Sequence, residues 1–317
     1  MLQASKKITS IGGQALIEGI LMRGPKKSCV CVRMQDNSIY KEYLENKGLK
    51  DKYPIFKLPI LRGIGVFVDS MQVGYKALNI SAEKSGDDIQ ENQEDKFSIW
   101  LEQIFGDKIM NVVMALASAI GVILSILLFF MLPTYIFNLI NNTFKFQGNI
   151  LLIRSVFEGF IRIAIFLIYV VLCSKTKEIK RVFQYHGAEH KTIACYENLE
   201  SLEVKNVKKY IRFHPRCGTN FMIIILLIGI IVGFFIPISN PILRSIVKIL
   251  CIPLVVGFGY EVIRLCGRYD NIVTRAIAAP GMWMQRITTN EPDDSMIEVA
   301  IEAIKSVIPE NGEDIIG

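Results

Sequence analysis

The 317-residue chain has only three histidines and two tryptophans, and its seven cysteines are an odd number without disulfide-framework spacing. Reduced thiols are therefore expected. Cys29 and Cys31 alternate in a β-favouring run, where they share a face as buried small apolar residues. The first twenty residues carry Lys6, Lys7 and Glu18 and no uninterrupted apolar core, so no cleavable secretion signal is expected. No nucleic-acid-binding motif is present, which leaves the net charge of +6 to be explained by its location.

What the chain has in quantity is apolar sequence. Hydrophobic residues make up 51%. They gather in runs of about 18 residues or more, long enough to cross roughly 30 Å of hydrocarbon. The expected fold is mainly α: a polytopic membrane protein with about four transmembrane helices, an interfacial or re-entrant helix, and a small cytoplasmic β-rich N-terminal segment.

Taken in order, residues 1–52 form the β-rich segment, with runs at 28–34 and 38–44 joined through Gln35, Asp36 and Asn37 as a hairpin. The glycine-rich stretch before them, with Glu18 and Arg23, allows two readings: an anion-accepting backbone nest or a glycine-rich strand with turns. Residues 53–81 are apolar but interrupted by Arg62, Asp69 and Lys76, which suits the interfacial or re-entrant helix. A polar linker follows at 82–107. A first transmembrane hairpin covers 108–173, with spans near 109–140 and 150–173 and Pro133 kinking or ending the first. A second hairpin covers 221–266, with spans near 221–238 and 242–266. The tail, 267–317, places Trp283 and Met284 at a lipid interface. There a capping box at Ser295 and Glu298 opens a helix to about Val307, and Ile297, Ile301, Ile304 and Ile308 give that helix a docking stripe.

Charge sets the orientation. The loop at 174–220 holds ten Lys and Arg residues, whereas the connectors at 141–149 and 239–241 hold Lys145 alone. By the positive-inside rule this loop and both termini are cytoplasmic, in a multi-pass inner-membrane protein. A basic face beside anionic lipid accounts for the net charge, so the lipid bilayer and not nucleic acid is the expected partner.

All three histidines fall in or beside that loop's centre: His186, His190 and His214, with Cys217 close behind. If the stretch from Gly187 to Glu197 is helical, His186 and His190 stand one turn apart on one face. With His214 and Cys217 they make a borderline-soft N/S set suited to zinc. His186 to His190 also matches the H-x-x-E-H pattern of inverted zincins, which by position makes Glu189 the general base of an enzyme. Those peptidases draw a third ligand from a downstream glutamate, for which Glu197 and Glu200 are nearest. Three protein ligands plus water describe a catalytic zinc; four, with Cys217 bound, describe a structural one. A second constellation is intramembrane. Arg154, Glu158 and Arg162 share a face of the second span, Glu158 and Lys248 lie at similar depth, and Glu261 and Arg264 lie near the inner end. They read as glue between spans or as an ion path.

Residues 12–19, 22–25, 185–191, 214–219 and 280–294 together resemble the YqhQ-type family of bacterial membrane proteins over nearly the full length. The resemblance implies the fold and the compartment, and a metal-dependent enzyme as the family's usual label, without a substrate. The leading expectation is an assembly or regulatory factor for a membrane machine such as the secretion translocon, its docking surface held by zinc. The alternative is a zinc-dependent membrane hydrolase, a peptidase or amidase. Transport is a third class, which four spans with short outer connectors accommodate only in a homo-oligomer.

The orientation is testable by labelling with a membrane-impermeant thiol reagent in intact cells. A Gln147→Cys reporter is expected to react and the native Cys195 and Cys217 to stay protected; the reverse pattern would invert the topology.

Overall fold

The glycine-rich opening of the chain folds as strand and turn, not as an open nest. In the computed structural model, which describes residues 8–46, 48–86, 109–269 and 271–315, four antiparallel strands follow one another in the order β1-β2-β3-β4. They are β1 (Gly12–Leu16), β2 (Gly19–Arg23), β3 (Lys27–Arg33) and β4 (Ile39–Glu45). Asn37 takes a φ of 64° in the β3–β4 turn, a conformation that asparagine tolerates. The chain divides into two units: residues 1–87, 170–225 and 253–317, and residues 88–169 and 226–252.

In the first unit β2 and β3 are covered on both faces. Ile20, Met22, Cys29 and Cys31 pack with Tyr185, Ala188, Ile297, Ile301 and Ile304 on one side, and Leu16, Leu21, Val30 and Val32 pack with Ala77 on the other. Burial on both sides is why these strands read as continuous apolar runs where a half-solvated sheet would alternate. The Cys29 and Cys31 sulfurs lie 3.8 Å apart on the first face.

Helix α1 (Leu61–Ser85) covers the second face. It buries Gly74, Ala77 and Ser81 and leaves Met71, Tyr75 and Leu78 exposed. The helix expected at 53–81 thus starts later, after a 3-10 turn at Pro54–Lys57, and continues to Ser85, where Gly86 at φ 73° ends it. Two of its interrupting charges are used inside the protein. Arg62 pairs with Glu261, and Asp69 accepts from the Leu49 amide at 3.0 and 3.1 Å. The polar linker expected at 82–107 is helical as far as Ser85, and the part from 87 to 107 lies outside the described residues.

The apolar helices follow. α2 (Ile109–Ile126) passes through a π turn at Leu127–Met131 into α3 (Leu132–Phe144). Pro133 therefore does not end the span. It sits in the first turn after the π segment, where a missing amide is tolerated. α4 (Ile150–Cys173) matches the expected second span. Next come α5 (Lys177–Glu197) and α6 (Gly218–Phe234), then α7 (Pro241–Leu250) and α8 (Ile252–Arg268), which are bent by 48°.

Among the described residues two helices are long and apolar enough to cross a membrane, or three if the bent pair is one span, where about four spans are expected from sequence. Prolines account for the difference. Pro237 follows closely on α6, and the residue before a proline disfavours helix, so α6 stops at 17 residues. Pro253 lacks the amide that would bond across the α7–α8 junction, and its ring crowds the preceding turn.

The tail forms α9 (Ile272–Thr288) and α10 (Asp294–Lys305). The cap of α10 is Asp293 and not Ser295: its carboxylate accepts from the Met296 amide at 3.0 Å, and Ser295 donates to the same carboxylate at 2.6 Å. Ile297, Ile301 and Ile304 are buried against the sheet, while Ile308 is partly buried. Trp283 is exposed, but Met284 is buried.

Helices α1 and α8 meet through glycine. A Cβ on Gly63 would lie 3.1 Å from the Gly257 Cα, and one on Gly257 would lie 2.7 Å from the Ile60 carbonyl oxygen. Ile60, a β-branched residue at φ 69°, is a strained position held there by its contact with Gly257 and by its amide donating to Glu261 at 3.2 Å. Gly257→Ala is expected to cost about 1–3 kcal/mol of stability by overpacking. Thermal unfolding of the purified full chain in detergent measures it, and an unchanged melting point would show that this crossing has slack.

Candidate metal centre

The centre is built on α5, where the four-residue spacing puts His186 and His190 on one face, their ring centroids 4.3 Å apart. Gly187 between them has a packing role. A Cβ there would collide with the Asn290 carbonyl oxygen, so only glycine lets residues 288–292 lie against the helix. That approach is fixed by the Asn290 amide donating to the Phe183 carbonyl at 2.8 Å.

The close approach delivers a carbonyl to each imidazole. His186 Nδ1 lies 2.8 Å from the Thr288 carbonyl oxygen, and His190 Nδ1 lies 2.6 Å from that of Arg212. A carbonyl only accepts, so each Nδ1 carries the proton and each Nε2 keeps its lone pair. The Cys217 sulfur completes the group: the ligand atoms of His186, His190 and Cys217 lie within 4.8 Å of one another. His186 Nε2 is 3.1 Å from that sulfur, to which Thr219 Oγ1 donates at 3.2 Å and the Thr219 amide at 3.4 Å.

Burial pushes the Cys217 thiol up, but hydrogen bonding and charge from His190, with the Thr219 donors, outweigh it and hold the thiol below its usual value. Burial, then the neighbouring His186, lowers His190. Burial favours the neutral His190 imidazole and the Thr219 donors favour the Cys217 thiolate, the forms that bind metals, whereas the pull of His190 on the thiol operates only while that ring is protonated. Glu189 is buried beneath the pair, where burial pushes its carboxyl up to about 7 against the opposing pull of His186. Its Oε2 finds no partner among the described residues, and a Cβ on Gly13 would lie 2.9 Å from its Cδ.

His214 stands beside this group and outside the set of three. Its ring centroid is 5.5 Å from that of His190, and its Nε2 is 3.9 Å from Glu197 Oε2. Glu197 is itself held by the Thr9 amide at 3.0 Å and by Arg216. Glu200, the other candidate glutamate, lies 3.5 Å from Lys209. Gln285 pins the loop from α9: its Oε1 accepts from the His214 amide and its Nε2 donates to the His214 carbonyl, each at 2.7 Å. Sequence reasoning assigned Gln285 and Thr288 no role. Their only signal was membership of the 280–294 stretch.

In the second unit the expected intramembrane charges converge. Glu158 accepts from Arg154 at 3.0 Å and from Lys248. Arg244, one helical turn before Lys248 and findable by that spacing, also reaches Glu158 at 3.1 Å. Arg162 bonds instead to the Phe129 carbonyl at 2.9 Å. Glu261 belongs to the first unit, where it pairs with Arg62, and Arg264 is exposed nearby.

Residues 58–310 match the profile of the family described as Protein of unknown function (DUF1385). The chain is similar to the Uncharacterized protein YqhQ of Bacillus subtilis (strain 168), at 33% identity over 302 residues, covering 94% of this chain and 92% of that relative. No solved structure matches.

Glu197 supplies a pH test of the loop. Burial alone would raise its carboxyl, but the neighbouring His214 imidazole and the Arg216 guanidinium, with the Thr9 amide, hold it at about 2, against 4.5 when unperturbed. A depressed folded-state value gives stability that is present above the unfolded value and lost as pH falls from about 4.5 towards 2, worth about 3 kcal/mol. Glu197→Gln is expected to lower the melting point at pH 7, with the gap to wild type closing as pH drops through that window. A gap that does not vary with pH would show that the charge is not responsible.

Proposed function

The chain belongs to the DUF1385 family, and since no reaction comes with that membership, we propose from the site itself that it is an integral membrane protein with a zinc centre of hydrolytic type. The membrane assignment rests on the continuous apolar stretch Leu116–Phe144, which runs from α2 through the π turn into α3, and on α4, and its orientation rests on the Lys and Arg asymmetry of the loops. The observation that carries the zinc reading is the donor set: two imidazole Nε2 lone pairs and one sulfur within 4.8 Å, each Nδ1 facing a backbone carbonyl. Two nitrogens and a thiolate suit zinc, and His214 outside the set leaves a position open, as catalytic sites require.

Held by His186, His190 and Cys217, zinc would supply a Lewis acid to polarise a carbonyl group. The remaining work belongs to the chain. Thr288 and Arg212 lock the imidazoles, and Thr219 steadies the Cys217 sulfur. Glu189 Oε2 is the atom that takes a proton from the attacking water, its carboxyl held at about 7 by burial, which matches a general base to neutral pH. A buried carboxylate oxygen with no partner among the described residues is a liability in a purely structural site, and this favours the hydrolase over the scaffold.

The burial of His190 and Glu189 favours a second reading, in which zinc staples a docking surface of an assembly or regulatory factor for a membrane complex such as the secretion translocon. Elemental analysis and complementation separate the readings. Near-stoichiometric zinc is expected in the purified wild type and should be lost in a His186→Ala, His190→Ala double variant; zinc retained there removes the metal assignment. Glu189→Gln is expected to stay folded and zinc-loaded while losing about 10²–10⁴ in rate and failing to complement in cells. A complementing Glu189→Gln allele together with a failing Cys217→Ser allele would transfer the reading to the scaffold.

A further inference from the structure

The second unit holds more buried positive charge than it can neutralise. Arg154, Arg162, Arg244 and Lys248 are all buried, and Glu158 is the one acidic side chain among the unit's described residues. Leaving ions unpaired in an apolar interior costs several kcal/mol each, so the donors that remain open are informative.

In two of the four cations every nitrogen has a partner. Arg154 donates to Glu158 at 3.0 Å, to the Ile238 and Ser239 carbonyls at 3.1 and 3.0 Å, and to Asn138 Oδ1 at 2.9 Å. Arg244 donates to Glu158 at 3.1 Å, to Ser155 Oγ at 3.2 Å, and to the Gly233 and Ile236 carbonyls. Lys248 has three donor hydrogens but shares a Glu158 oxygen already bonded to Arg244. Arg162 spends only its Nε, on the Phe129 carbonyl, and its guanidinium carbon lies 5.2 Å from the centre of the Phe130 ring.

The Arg162 Nη2 has no acceptor among the described residues although the side chain is 8% exposed. The buried Ser245 Oγ has none either. Ser245 lies three residues before Lys248 on α7, so the two are neighbours on the helix surface, and Lys248 feels the charge of Arg162. Gly229 packs against this guanidinium, where an added Cβ would make ordinary contact with Nη1 at 3.7 Å. The open valences are thus a guanidinium edge, an ammonium and a hydroxyl. All of them donate, and a ligand that only accepts satisfies them together.

We propose that the second unit binds a phosphate-class oxyanion at Arg162, Lys248 and Ser245. Such a group is polyvalent and acceptor-rich, and a guanidinium edge meets two of its oxygens at once. A dianion also brings the cluster's excess of three charges down to one. The phosphate can be free or can be a lipid headgroup.

The test uses the full chain, delipidated in neutral detergent and gluconate buffer. Inorganic phosphate is titrated in one arm and chloride in a second. In a third, mixed micelles of phosphatidylglycerol are compared with micelles of uncharged diacylglycerol, with the melting temperature as the readout in every arm. A saturable rise with phosphate identifies the free ion, and one confined to phosphatidylglycerol identifies the headgroup. Arg162→Gln is expected to weaken either about tenfold, the loss of one charge-assisted hydrogen bond. Arg162→Met should melt higher than wild type without ligand, because it removes an unneutralised buried charge. Ser245→Ala, which deletes a single hydroxyl, should weaken binding several-fold and keeps the test open if the Arg162 variants do not fold. No saturable rise with either phosphate source, an equal rise with chloride, or undiminished binding in Ser245→Ala and Arg162→Gln would overturn the proposal.

Discussion

Both imidazoles of the candidate centre depend on a backbone carbonyl brought to Nδ1 by a segment distant in sequence, Thr288 for His186 and Arg212 for His190. Without those acceptors either nitrogen could carry the proton, and the two Nε2 lone pairs would not be committed to one point. Much else in the first unit serves to keep these segments in place. Gly187 has no side chain to hold Asn290 off, and Gln285 clasps both polar groups of the His214 backbone. The sheet covered on both faces gives α5 a rigid floor. Tyr185, Ala188 and Ile193 of α5 are buried in the same core as Ile20, Met22, Cys29 and Cys31.

Of the three buried glutamates among the described residues, Glu158 in the second unit and Glu189 in the first are treated in opposite ways. Glu158 receives Arg154, Arg244 and Lys248, so its charge is compensated and acts as a junction between helices. Glu189 has an oxygen without a donor among the described residues and sits where burial favours its protonated form. Networks of the first kind are what stability selects, and isolated groups of the second kind are what chemistry uses. The surplus of donors around Glu158 is a separate feature of the same economy of charge: four cations converge where one carboxylate stands.

The apolar helices illustrate how single prolines divide what composition joins. Pro133 falls just after a π turn and the helix runs on to Phe144, whereas Pro253 coincides with a 48° bend and Pro237 follows the end of α6. The position of the ring relative to the local hydrogen-bond ladder decides the outcome, and neighbouring structure sets that position.

By itself the sequence determined the local elements whose signals are short-range: the hairpin through Asn37, the span at 150–173, the helical pairing of His186 with His190, and the isoleucine stripe of the tail helix. Periodicity and turn chemistry act over a few residues and survive into the fold. Tertiary structure alone decided which distant groups meet. It chose Cys217 and set His214 apart towards Glu197, capped the tail helix on Asp293, turned α1 onto the sheet, and added Arg244 to the Glu158 cluster. Candidate ligands can be named from residue type, but the set that closes on one point depends on backbone approaches across a hundred residues, such as Gly187 against Asn290, and no local pattern encodes those distances.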